Sequence, residues 1–125
     1  MEKVLCFDIG GSKLLCGVVD AEGRVLETRR AALPAKYDFD FLIDELCRLT
    51  EGFEKYSPDR CGVTVPGLCD PDRGLWVYAP FSGLSDLPIA TRLGERTGLP
   101  VYIENDVNAC ALAEAAEDVK IVHLV

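Results

Sequence analysis

The sequence has 125 residues, 49% of them apolar and 27% charged, which is enough to bury the core of one domain. Its 13 lysines and arginines against 21 aspartates and glutamates leave a net charge of −8, and no basic cluster offsets it, so no nucleic-acid partner is expected. No apolar run is long enough to span a membrane and the N-terminus carries no secretory pattern, so the expectation is a cytoplasmic protein without a membrane partner.

The first strand is expected over residues 3–9, where Val4-Leu5-Cys6-Phe7-Asp8-Ile9 is an apolar run that delivers one carboxylate. The chain then turns on Gly10 and Gly11, presents Ser12 and Lys13, and re-enters an apolar run over 14–20. Adjacent glycines let main-chain N–H groups approach a ligand, and successive N–H groups in a turn form an anion nest. A carboxylate at a strand end, here Asp8, can hold a divalent metal, and Lys13 can neutralise phosphate charge. Strand–turn–strand is not the strand–loop–helix of a Walker A or dinucleotide site. Neither Gly-x4-Gly-Lys-Ser/Thr nor Gly-x-Gly-x2-Gly is present. Two readings stand at this point: a phosphate cradle, and a plain β-hairpin whose turn needs two glycines.

Asp20-Ala21-Glu22-Gly23 is a turn signal, and residues 24–33 read as a third strand that completes an antiparallel meander, ended by Pro34. Asp38 is a candidate N-cap for a helix running to about Tyr56. Phe39, Leu42, Leu46, Leu49 and Phe53 make its apolar stripe, and Asp44, Glu45, Glu51 and Glu54 its solvated side. A fourth strand is expected over 60–65, stopped by Pro66-Gly67 and parallel to an earlier strand through a right-handed crossover. The turn at Asp70-Pro71-Asp72-Arg73-Gly74 leads into a short extended piece over 75–78, and 80–88 reads as irregular. Pro88 suits the first turn of a helix through Thr97 that Gly98 closes. Val101-Tyr102-Ile103 is a fifth strand ending at Glu104-Asn105-Asp106, followed by an alanine-rich helix to about Ala116 and a last apolar strand over 120–125. The order βββ-α-β-α-β-α-β describes a ribonuclease-H-like, actin-type α/β lobe with a mixed sheet.

Six cysteines, at 6, 16, 47, 61, 69 and 110, include no Cys-x2-Cys pair, and the one histidine, His123, lies far from most of them. With no secretory pattern a disulfide framework is not expected, and Cys6, Cys16 and Cys61 inside strand runs are expected as buried thiols. Trp76 reads as packing rather than as a stacking platform.

Ligands of α/β sheets bind outside the carboxyl ends of parallel strands. Asp106 would stand at such an end and at a helix start, where a helix cap and a general base are both open to it. Asp8 would sit on the same rim, and two carboxylates there suit a metal–phosphate site beside a base.

Asp8-Ile-Gly-Gly-Ser-Lys13 resembles the first phosphate motif of the ROK family of bacterial sugar kinases, within the actin and hexokinase superfamily. Val65-Pro66-Gly67 with Asp70 and Gly74 is similar to the loop after that family's fourth strand. Residues 99–109 with Glu114 resemble the segment that carries its catalytic aspartate. The resemblance covers essentially the whole chain. It implies a lobe of an ATP-dependent kinase that transfers the γ-phosphate to a hexose or N-acetylhexosamine, with sugar and ATP as partners and Mg²⁺ required. By position it implies Asp106 as the general base that takes the sugar hydroxyl's proton, and Asn105 as its hydrogen-bonding neighbour. It implies Gly10, Gly11, Ser12 and Lys13 around the phosphates with Asp8 close to Mg²⁺, and Gly67 and Glu104 lining the sugar pocket.

The chain departs from the family pattern in places. Residues 79–86 lack the asparagine and Gly-Trp-like pair that follow the family's Ala-Pro step, which leaves the sugar open. The family's Glu-x-Gly-His sugar ligand and cysteine-rich zinc loop are not found, so no structural zinc is expected. Family kinases carry a second lobe with a Gly-Thr-Gly phosphate loop. The expected organisation is therefore an N-terminal lobe over 1–118 and the first strand of a second lobe over 119–125, with no kinase activity from the lobe alone. The free apolar strand at 119–125 is expected to pair across a homodimer. The alternatives are a non-catalytic sugar-binding or assembly module, and a fragment of a ROK transcriptional repressor, which the acidic charge disfavours.

Overall fold

Three strands open the chain: β1 (Lys3–Ile9), β2 (Lys13–Asp20) and β3 (Val25–Ala32) form an antiparallel meander in the computed structural model, which describes residues 2–78 and 85–105. The chemistry of the second turn is local. Asp20 Oδ1 accepts the N–H groups of Glu22 at 3.0 Å and Arg24 at 2.9 Å, and Oδ2 accepts from Arg24 Nε at 3.0 Å. These bonds, led by the Arg24 N–H, hold the Asp20 carboxyl below its ordinary range.

Helix α1 (Phe39–Leu49) begins where the sequence places it, with Asp38 accepting the Phe41 N–H at 2.8 Å. It does not run to Tyr56. It ends at Leu49, Gly52 follows in the left-handed region at φ 89°, and a separate 3-10 turn covers Phe53–Tyr56. Gly52 ends the helix locally, and β3 caps that end. The Arg29 guanidinium donates to Leu49 O at 3.1 Å and to Glu51 O, and stacks 4.3 Å from the centroid of the Phe53 ring. A cation at a helix C-terminus is favourable, and this one takes a carbonyl that another turn of helix would need. Phe53 is still buried, so the apolar stripe is kept while the helix is not. Its acidic side is partly engaged too, since Asp44 accepts from Arg96 of α2 (Ile89–Thr97) at 2.8 Å.

Strand β4 (Arg60–Val65) pairs parallel to β1, and β8 (Val101–Asn105) pairs parallel to β4, giving a five-stranded sheet in the order β3-β2-β1-β4-β8. Strand periodicity divides its residues cleanly. Phe7 and Ile9, Cys16 and Val18, Val63 and Val65, and Ile103 face one core with Leu42, Leu46, Ile89 and Leu93 of the two helices. Asp8, Leu15, Thr64 and Glu104 stand on the other face.

A second, three-stranded sheet was not anticipated. β5 (Leu68–Asp70), β6 (Leu75–Tyr78) and β7 (Ser85–Leu87) pair antiparallel, so the part of 80–88 that is described is not irregular. Trp76 of β6 is buried, with Nε1 donating to Pro66 O at 2.8 Å: packing, as its sequence context suggests. Pro88 sits at the N-cap of α2 rather than inside its first turn, and Gly98 closes the helix. Cys6, Cys16 and Cys61 are buried free thiols, as expected. The alanine-rich helix, the strand over 120–125, Asp106 and the loop 79–84 lie outside the described residues.

Candidate functional site

The site follows from register. Arg30 of β3 pairs with Leu15 of β2, Leu15 with Asp8 of β1, Asp8 with Thr64 of β4, and Thr64 with Glu104 of β8. These five residues form one row across the whole sheet, on the face away from α1 and α2. Along it run a cation, an apolar floor, a carboxylate, a hydroxyl and a second carboxylate. Asp8, Thr64 and Glu104 lie toward the carboxyl ends of the three parallel strands, where α/β sheets bind ligands. Thr64 Oγ1 donates to Asp8 Oδ1 at 2.6 Å, which fixes the half-buried carboxylate and leaves Oδ2 for a ligand. Glu104 Oε1 accepts from Cys69 Sγ at 3.8 Å, tying β5 to β8.

Beside this row the β1–β2 turn opens a cleft of about 320 Å³, lined by Asp8, Gly10, Gly11, Ser12, Lys13 and Leu14, with Leu15 and Arg30 at its far side. The turn is a hairpin as well as a candidate cradle. Gly10 N–H donates to Lys13 O at 2.9 Å and closes it, and Ser12 O accepts the Leu33 N–H at 2.8 Å. A Cβ on Gly10 would lie 3.2 Å from Lys13 O, so a side chain would crowd the turn. The Gly10 N–H is therefore spent inside the fold. Among the described residues the N–H groups of Gly11 and Ser12 have no partner, and these are what the turn offers an anion.

All five phosphate-site residues expected from the sequence thus line one cleft. Glu104 shares their row two strands from Asp8, and Gly67 follows β4 in the left-handed region at φ 84°. Asn105 pairs with Val65 at the end of β8, and Asp106 lies beyond the described residues. Two site residues, Thr64 and Arg30, were missed. Thr64 looked like one more strand residue, and Arg30 is revealed only by the period-2 count along β3 from Ala31, which packs against the core.

A divalent ion has a limited donor set here. No group of three His, Cys, Asp or Glu side chains that could hold a metal occurs among the described residues. One fixed carboxylate beside this cleft fits Mg²⁺, which keeps several waters and binds through one or two carboxylates and substrate phosphates.

The family model for the ROK family matches residues 4–124. A glucokinase of Streptomyces coelicolor is 32% identical over 108 residues, covering 86% of this chain and 33% of the relative. An N-acetyl-D-glucosamine kinase of Erwinia tasmaniensis is 36% identical over 114 residues, covering 90% and 37%. The crystal structure of a ROK family glucokinase from Streptomyces griseus in complex with glucose and AMPPNP matches with a TM-score of 0.80 at 34% identity, over 90% of this chain and 36% of that one. The chain spans about a third of the length of these relatives.

Proposed function

The chain belongs to the ROK family, and from that premise we propose that it supplies the phosphate cleft and the catalytic base of an ATP-dependent sugar kinase. One observation carries the reading. The register row puts Asp8 and Glu104 on one rim of one sheet, and Asn105 and Asp106 follow Glu104 in the sequence.

In this reading ATP lays its phosphates against the Gly11 and Ser12 N–H groups and Lys13. Asp8, oriented by Thr64, would hold Mg²⁺, which when bound would supply charge neutralisation. A hydroxyl of a hexose or N-acetylhexosamine attacks the γ-phosphorus, its proton passes to the Asp106 carboxylate, and the bond to the ADP oxygen breaks. Phosphoryl transfer needs mainly positioning and charge stabilisation, which a rigid sheet edge provides. Asn105, Glu104 and Gly67 hold the sugar. Residues 1–118 form the lobe and 119–125 begin a second one, with pairing across a homodimer through 119–125 and a cytoplasmic location. Among the described residues no helix is long and apolar enough to cross a membrane.

The test is ATP-dependent phosphorylation of glucose and N-acetylglucosamine, run on the 125-residue chain and on a form extended through the downstream reading frame. Activity is expected on extension, reduced about 10²- to 10⁴-fold by Asp106→Asn. No activity in either form, or an Asp106→Asn variant as fast as the parent, removes the kinase reading.

A further inference from the structure

Arg29 and Arg30 are neighbours in β3, so the strand sends them to opposite faces. Arg29 faces the helices and is engaged by the end of α1, the Phe53 ring and the Glu27 carboxylate at 3.2 Å. Arg30 faces the other way, opposite Leu15, and lines the cleft with Asp8, Ser12 and Lys13. Every other arginine among the described residues is in an ion pair, whereas Arg30 has none. Lys13, the second cation of the cleft, has none among them either. In a chain with 21 carboxylates against 13 cations, two cations that form no ion pair among the described residues share one cleft with the single carboxylate of Asp8, which is a built feature of its electrostatics.

We propose that Arg30 is a second phosphate-binding cation of this site, holding a different phosphate of a bound polyphosphate chain from the one held by Lys13. The inference rests on the phosphate reading of the cleft. One strand spacing and two residues of rise separate the two positions, so their Cα atoms stand about 8 Å apart. Two long side chains can close that span onto neighbouring phosphates. Leu15 stands opposite Arg30 in the register and lines the same cleft, an apolar surface beside the Arg30 stem. A planar guanidinium presents two parallel donors to phosphate oxygens, which an ammonium cannot. The ligand class is a nucleoside triphosphate or inorganic triphosphate, and a single phosphate engages Lys13 without needing Arg30.

The experiment is calorimetric titration of the chain with magnesium tripolyphosphate and with inorganic phosphate, at low and physiological salt. Arg30→Gln is expected to weaken tripolyphosphate binding about tenfold and to lower its salt dependence by about one charge, with inorganic phosphate little changed. Arg30→Lys falls between. Lys36→Gln, which removes an exposed cation outside the cleft, binds like the parent. Arg30 is exposed and in no ion pair among the described residues, so a matching urea midpoint checks that the fold is intact. Weakening by Lys13→Gln with none by Arg30→Gln, or an equal loss in Lys36→Gln, overturns the assignment of Arg30 alone. No tripolyphosphate binding by the parent chain overturns both the assignment and the phosphate reading beneath it.

Discussion

Thr64 donates to Asp8 across the β1–β4 pair at 2.6 Å, and the two residues are 56 positions apart in sequence. The local motif around Asp8 was readable because strand, glycine turn and cation follow one another without interruption. Its anchor was not, because nothing in Arg60-Cys61-Gly62-Val63-Thr64-Val65 says which residue of β1 will lie beside Thr64. That depends on the parallel register, which the crossover through α1 sets. Thr64→Val keeps the shape and removes the donor, so Asp8 Oδ1 loses its partner in a half-buried place. The expected cost is about 1 kcal/mol of stability, read as a lower urea midpoint, together with severalfold weaker magnesium-dependent tripolyphosphate binding. A variant that loses stability but binds as tightly as the parent would show that Thr64 does not orient the carboxylate.

At the scale of the element, the end of α1 shows where sequence periodicity stops being sufficient. Phe53 follows Leu49 by four residues, so the apolar stripe continues unbroken into a helix that is not there. Burial of Phe53 satisfies the pattern equally well from a 3-10 turn, which left-handed Gly52 begins and Arg29, 20 residues upstream of the Leu49 carbonyl it binds, holds in place. The short strands β5 and β7 escaped notice for a related reason. Each is three residues long, too short for alternation to register, and each exists by pairing with β6. The meander was legible because its turns are chemically local, at Gly10-Gly11 and at Asp20. Arg29→Ala should therefore unsettle the junction of β3 and α1, stripping the Leu49 and Glu51 carbonyls and uncovering the Phe53 ring. A loss of about 2 kcal/mol is expected from the hydrogen bonds and the cation–π contact together. Arg29→Lys should recover only part of it, since an ammonium that reaches the two carbonyls bound by Nη1 cannot also lay a planar group on the Phe53 ring and pair with Glu27 through a second nitrogen. Urea denaturation of the two variants measures both, and full recovery by lysine would mean that charge at the helix end matters and the planar geometry does not.

For the whole molecule, the titratable groups set both edges of the stability profile. Hydrogen bonds from the Arg24 N–H to Asp20, from Tyr56 to Glu27 and from Arg48 to Glu45 lower those carboxyls below their ordinary values of 3.8, 4.5 and 4.5. A lowered carboxyl stabilises the fold above its ordinary value, and that contribution is lost as pH falls below it. The thiols act with the opposite sign. Burial pushes Cys16 up from 9.0 to about 12 and raises Cys6 and Cys61 as well. Above pH 9 the unfolded chain releases these protons while the folded chain keeps them, so stability is full below that point and falls as pH rises through it. The expected profile is a plateau between the carboxyl and thiol ranges, with an alkaline limb that begins near the ordinary thiol value. Cys16→Ala should flatten that limb by up to about 1.4 kcal/mol per pH unit between the two thiol values and leave the acid limb unchanged. The slope is the readout, because the cavity left by the lost sulfur lowers stability at every pH alike. Urea midpoints measured from neutral to alkaline pH decide it, and an alkaline slope unchanged in Cys16→Ala would mean that this thiol opens to solvent before the molecule unfolds.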